Sequence, residues 1–215
     1  MGSPEYGEAY DAGPEALLEA AKGLIDGYRL DPMEDQPRRI LLLCEAAGMA
    51  PMLAGIVNPY GVSVLSSGGF DSTTFKHDLA NRLHGKPSLV FHIGDYDPSG
   101  VHLFQALQED VLAFLGNNGA AEFRRLAVTP QQVIELGLTT QTASPADARE
   151  FDGVNGDGVS TCQAEAIPPD QLAEIVRSAV LAEIDREAMA RTRVRQQVDI
   201  AVLRAMVPEL WAEES

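Results

Sequence analysis

The sequence predicts an α/β fold: a parallel four-stranded sheet flanked by helices, with a helical C-terminal arm. Two observations carry this. Four short apolar runs, at residues 40–44, 61–65, 88–93 and 123–128, are each followed by a helical pattern. The runs are continuously apolar where a half-exposed strand would alternate, as in a sheet covered on both faces.

The elements follow in order. Residues 1–13 read as a disordered acidic tail. Within 14–36, Leu17, Leu18, Ala21, Leu24, Ile25 and Tyr28 recur at the helical period, and Asp31-Pro32 and Gln36-Pro37 bracket a loop. The core is expected over 37–138, with helices at 46–57, 72–84, 100–115 and 131–136 after successive strands. Residues 139–164, rich in Thr, Ser, Gly and Asp, read as a long flexible loop. The arm at 165–215 shows one apolar stripe through Leu172, Ile175, Val176, Ala179, Val180 and Ile184. Val194, Val198, Val202 and Met206 are expected to continue it after a break near Ala190.

The chain has 215 residues, 45% hydrophobic and 22% charged, enough for one domain with a sizeable core. Thirty-two acidic against 16 basic residues give a net charge of −16, which opposes bulk nucleic-acid binding through Lys and Arg. No apolar run is long enough to span a membrane, and the polar N-terminus has no signal-peptide pattern, so a cytoplasmic location is expected. Cys44 and Cys162 make neither a disulfide framework nor a zinc set.

In an open α/β sheet, ligands bind beyond the carboxyl ends of the strands. Those ends carry Glu45, the Gly68-Gly69 turn, and Asp95 with Asp97. Clustered carboxylates repel unless a cation sits among them, and hard oxygen donors select Mg²⁺ or Mn²⁺. Solvated turn acids explain Asp95 and Asp97 equally well, but Glu45 closes an apolar strand, where charge is costly away from an exposed site.

An apolar strand ending in Glu45, a turn at Gly69-Phe70-Asp71-Ser72, and a third strand ending in Gly94-Asp95-Tyr96-Asp97-Pro98-Ser99-Gly100 resembles the Toprim (Rossmann-like) domain. That domain is shared by topoisomerases, bacterial primases and OLD-type nucleases. The wording looks closest to the topoisomerase VI A-subunit and meiotic-break transesterase branch. Arg125-Leu126-Ala127-Val128-Thr129-Pro130 and Gln163-Ala164-Glu165-Ala166-Ile167-Pro168-Pro169 resemble its later elements.

The resemblance implies Mg²⁺-dependent cleavage or transfer of DNA phosphodiester bonds. Glu45 would be general acid and base or a metal ligand, and Asp95 and Asp97 would hold the ion. Gly69 and Gly100 would let backbone approach metal or phosphate, and Glu165 is a weaker candidate for the metal; by position alone, Ser72 and Lys76 after the glycine-rich loop and His102 in a first helical turn near the acidic edge are candidate phosphate contacts. DNA is the implied partner and a homodimer an implied assembly. The sequence departs from the branch in lacking room for the winged-helix domain with its nucleophilic tyrosine, so a partner domain or water would serve. Its 140–150 loop offers only Arg149 as a cation.

Two other readings stand beside this one. Ser67-Gly68-Gly69-Phe70-Asp71-Ser72 matches the pyrophosphate loop of ATP pyrophosphatases, which implies an adenylating enzyme. The third is a non-catalytic interaction domain with the same fold.

Overall fold

The structure, a computed structural model, describes residues 13–66, 70–144 and 149–214, with side chains through Trp211. Four parallel strands form its centre: β1 (Arg39–Cys44), β2 (Ser63–Ser66), β3 (Ser88–Ile93) and β4 (Ala121–Ala127), in the order β2-β1-β3-β4. The central strands β1 and β3 are almost wholly buried, as their unbroken apolar runs require, whereas the edge strands β2 and β4 keep exposed positions.

Helices cover both faces. Ile40, Leu42 and Cys44 of β1 and Leu89, Phe91 and Ile93 of β3 pack with Leu53 and Val57 of α2 (Ala50–Val57). Leu172, Val176 and Val180 of a later helix, α6 (Pro169–Glu183), complete that layer. Leu41, Leu43 and Val90 point the other way. They meet Leu79 and Leu83 of α3 (Thr73–Leu83) and Leu107, Val111 and Leu115 of α4 (Pro98–Leu115). This parity is the two-residue period of a strand. The short α5 (Pro130–Leu136) starts at a capping box, Thr129 with Gln132.

The chain leaves β1 for β2 on one side and leaves β3 for β4 on the other. The loops after β1 and β3 therefore diverge, opening a crevice at the carboxyl ends of the two central strands.

Three expectations need correction. Residues 139–164 contain an antiparallel ribbon, β5 (Gln141–Thr142) with β6 (Ser160–Thr161). The arm breaks at Ile184 and Asp185, where Asp185 caps α7 (Arg186–Met206) by accepting from the Glu187 and Ala188 amides, and it does not break near Ala190. Val194, Val198, Val202 and Met206 are exposed and do not extend the core stripe. The N-terminal α1 (Pro14–Asp26) buries no residue; it is tied to α7 by Arg204–Asp26 and by Tyr28, which donates to Asp199. The tail at 1–12 lies outside the described residues. No helix among the described residues is long and apolar enough to cross a membrane.

Candidate functional site

Glu45, the first residue after β1, turns into the crevice. The Asp95 amide donates to its Oε2 at 3.2 Å. Gly94 lies directly beneath: a Cβ there would stand 2.4 Å from the Glu45 carboxyl carbon. Only glycine leaves that carboxylate its place.

His92, wholly buried in β3, lies next to it. Its Nε2 is 3.1 Å from Glu45 Oε1, within ion-pair distance but off the line a hydrogen bond needs. Its ring stacks on Phe104 at 4.2 Å and 15°. Burial pushes the His92 pKa down, more than the Glu45 carboxylate pulls it up, so the imidazole is neutral at neutral pH.

The turn after β3 carries the other acids. Asp95 Oδ1 accepts from the Ala164 amide at 2.8 Å. Burial raises the Asp95 pKa, the Ala164 hydrogen bond opposes that, and Glu165, Glu45 and Asp97 add repulsion. Asp97 caps α4, accepting from the Gly100 amide at 2.6 Å. Gly100 is needed here because a Cβ would come 2.5 Å from the Asp95 carbonyl oxygen. The antiparallel bridge between Tyr96 and Cys162 fixes the turn against the segment that brings Ala164 and Glu165.

Arg125 of β4 clamps the turn from behind. Its guanidinium donates to the Gly94 carbonyl at 2.9 Å and twice to that of Asp95, at 3.1 and 2.9 Å. It also lies 5.9 Å from the ring centres of Tyr96 and Phe104. Burial lowers its pKa, and the surrounding Glu45, Asp97 and Asp95 counter that. It remains a cation at neutral pH.

Glu45, Asp95 and Asp97 therefore stand within electrostatic reach of one another at the carboxyl ends of β1 and β3, and Glu165 stands within reach of Asp95 and Cys44. The expected phosphate residues scatter. Lys76 is buried and pairs with Asp110 of α4 at 2.8 Å, so its ammonium is committed to holding α3 against α4 and does not supply the phosphate contact expected of it. Ser72 caps α3 by accepting from the Phe75 amide. His102 Nε2 is 2.9 Å from the Glu150 carbonyl. Gly69, with Ser67 and Gly68, lies outside the described residues. Cys44 faces the opposite core layer, as its strand parity requires, and burial pushes its thiol up to about 11.

Sequence reasoning missed two contributors. Gly94 reads as ordinary turn glycine; what singles it out is the position of Glu45 on the neighbouring strand. Arg125 reads as part of a strand and nothing more. A charged residue inside an apolar run was the available signal.

The donor set is all oxygen. Glu45 Oε2, Asp95 Oδ1 and Asp97 Oδ1 each already accept a backbone N–H. Among the described residues, no three His, Cys, Asp or Glu side chains are grouped as a metal cage. Such a set fits an ion that takes one or two carboxylates and fills its shell with water and substrate oxygens, as Mg²⁺ does, and does not fit a closed structural site. No protein-family model matches the chain, and a search of curated proteins finds no match.

Proposed function

We propose that this chain is a Toprim-like module that uses Mg²⁺ or Mn²⁺ to break or transfer DNA phosphodiester bonds. The observation that carries the reading is the meeting of Glu45, Asp95 and Asp97 in the crevice between β1 and β3, where the chain direction across the sheet reverses.

Each side chain has a definite part. Glu45, steadied by the Asp95 amide and bounded by Gly94, faces the reacting oxygens, where its carboxylate takes up the proton released by the attacking group and returns it to the 3′ oxygen as the P–O bond opens. Asp95 and Asp97 are the ligands for a divalent ion. When bound, that ion supplies charge stabilisation at the reacting phosphate. Arg125 holds the turn that aims both aspartates and lends positive charge to an acidic crevice. None of the described tyrosines stands free at the crevice, and Tyr60 packs against the core. Tyr28 is bonded to Asp199, and the Tyr96 ring packs on Phe151 at 5.0 Å. In the isolated chain the attacking group is water, and a partner domain takes that role where transfer occurs.

The test is nicking of supercoiled plasmid with Mg²⁺ or Mn²⁺. The proposal expects metal-dependent nicking by the wild type and loss of it in Glu45→Gln and Asp95→Asn. Equal background in all three overturns catalysis by this chain. Pyrophosphate release from ATP without nicking would favour the adenylating alternative instead.

A further inference from the structure

His92 sits where the fold asks for an apolar residue. Its neighbours along β3, Val90, Phe91 and Ile93, are apolar and fully buried, and its own side chain has no exposure. Phe104 stacks on its ring, and the Phe70 ring centre lies 6.2 Å away. Among the described residues neither nitrogen of the ring meets the full geometry of a hydrogen bond. A leucine or phenylalanine would fill this place without leaving buried nitrogens unmatched, which costs stability. Packing alone does not account for an imidazole here.

The end of the neighbouring strand does. β1 and β3 pair with Leu43 opposite His92, and the pairing continues as the Glu45 amide donates to the Ile93 carbonyl at 2.9 Å. Glu45 follows Leu43 by two residues, so its side chain leaves the sheet on the His92 face. His92 Nε2 lies 3.1 Å from Glu45 Oε1. A nitrogen lone pair held that close to a carboxylate oxygen would be repelled by it. The ring proton therefore belongs on Nε2, facing the carboxylate.

The last torsion of a glutamate is broad, so its carboxylate plane turns easily. The donor on Oε2, the Asp95 amide at 3.2 Å, leaves that plane free to turn about it. A second donor on Oε1 stops the turning. We infer that His92 is a positioning residue for Glu45: its Nε2–H holds Oε1 while the Asp95 amide holds Oε2, and the two fix the carboxylate toward the reacting oxygens. This role rests on the phosphodiester reading of the crevice. The contact is off-line in the present geometry, and hydrogen bonds that serve catalysis are often misaligned until substrate binds. The stack on Phe104, at 4.2 Å, keeps the ring in place meanwhile.

Nitrogen NMR of the histidine rings in the full chain reads the tautomer, with the His92 signals assigned by their loss in His92→Gln. The expected result is a ring protonated at Nε2 in the wild type and a mixture of the two tautomers in Glu45→Ala. A proton on Nδ1, or wild-type ring signals that persist in Glu45→Ala, overturns the contact. Plasmid nicking reads its consequence. Methionine and glutamine match in length and shape, and both give up the stack on Phe104, but only glutamine keeps a donor. His92→Met is expected to lower kcat about tenfold or more with KM unchanged, and His92→Gln to recover most of that loss. Equal loss in the two variants overturns the positioning role. A wild type that does not nick overturns the phosphodiester reading, and the tautomer then decides the His92 contact by itself.

Discussion

Replacing Gly94 with alanine is the sharpest perturbation of the crevice, because it adds one methyl group and changes no charge. The new Cβ would lie 2.4 Å from the Glu45 carboxyl carbon and 2.5 and 2.6 Å from its oxygens. Ordinary contact begins near 3.4 Å, so the carboxylate must retreat by about 1 Å. It can do so, since the side chain is 18% exposed and its end is flexible. The retreat breaks the hydrogen bond from the Asp95 amide. Overpacking of this kind costs about 1–3 kcal/mol of stability. Misplacing a catalytic group by about 1 Å costs on the order of 100-fold in rate. The expected variant is folded, modestly destabilised in urea, and about 100-fold slower in plasmid nicking. Full activity in Gly94→Ala would refute the placement of Glu45. Gly100→Ala is the control with the opposite balance. Its Cβ would meet the Asp95 backbone oxygen at 2.5 Å, and backbone cannot swing aside, so the larger loss there is in folding.

Three further outcomes follow from the same geometry. Burial raises the Asp95 pKa, so ionising this carboxyl costs the native state; the favourable contribution is present at low pH and lost as pH rises through the raised value. Asp95→Asn should therefore unfold at higher urea than wild type at neutral pH, and the difference should close below the ordinary carboxylate range. Lys76→Met should leave nicking unchanged, because the ammonium is bound to Asp110; stability should shift by about 1 kcal/mol or less, since Asp110 is 54% exposed and keeps its water. Cys44 is fully buried with its thiol pushed up to about 11, so thiol reagents should label it only at the rate of unfolding.

Much of this fold was legible in the sequence, and the reasons are physical. Strands β1 and β3 announce themselves because both faces are covered, so no polar residue interrupts 40–44, and His92 alone interrupts 89–93. The parity that sends Cys44 into one layer and Leu43 into the other follows from the strand repeat. The arm shows the limit of periodicity. Val194, Val198 and Val202 keep the helical spacing of Leu172, Val176 and Val180, yet one set is exposed and the other buried. Spacing defines a face and cannot say what lies against it. Asp185 gave a readable sign, being a capping residue ahead of Glu187, and it marks the true break.

The candidate site divides in the same way. The positions of Glu45, Asp95 and Asp97 at the carboxyl ends of β1 and β3 were legible because each closely follows an apolar run. Lys76 was misread because its partner, Asp110, sits 34 residues further on, across a helix–helix contact that local spacing does not reveal. Gly94 and Arg125 act through neighbours on other strands, so their roles appear only once β1, β3 and β4 are in register.

The central claim is that the acidic crevice between β1 and β3 takes a divalent cation. Titration of the full chain with Mn²⁺, followed by the loss of the free-ion electron paramagnetic resonance signal, tests it without requiring turnover. Saturable binding by the wild type is expected, sharply weakened in Asp95→Asn and in Asp97→Asn and competed by Mg²⁺. Binding that survives both substitutions unchanged, or no saturable binding in the wild type, would contradict it.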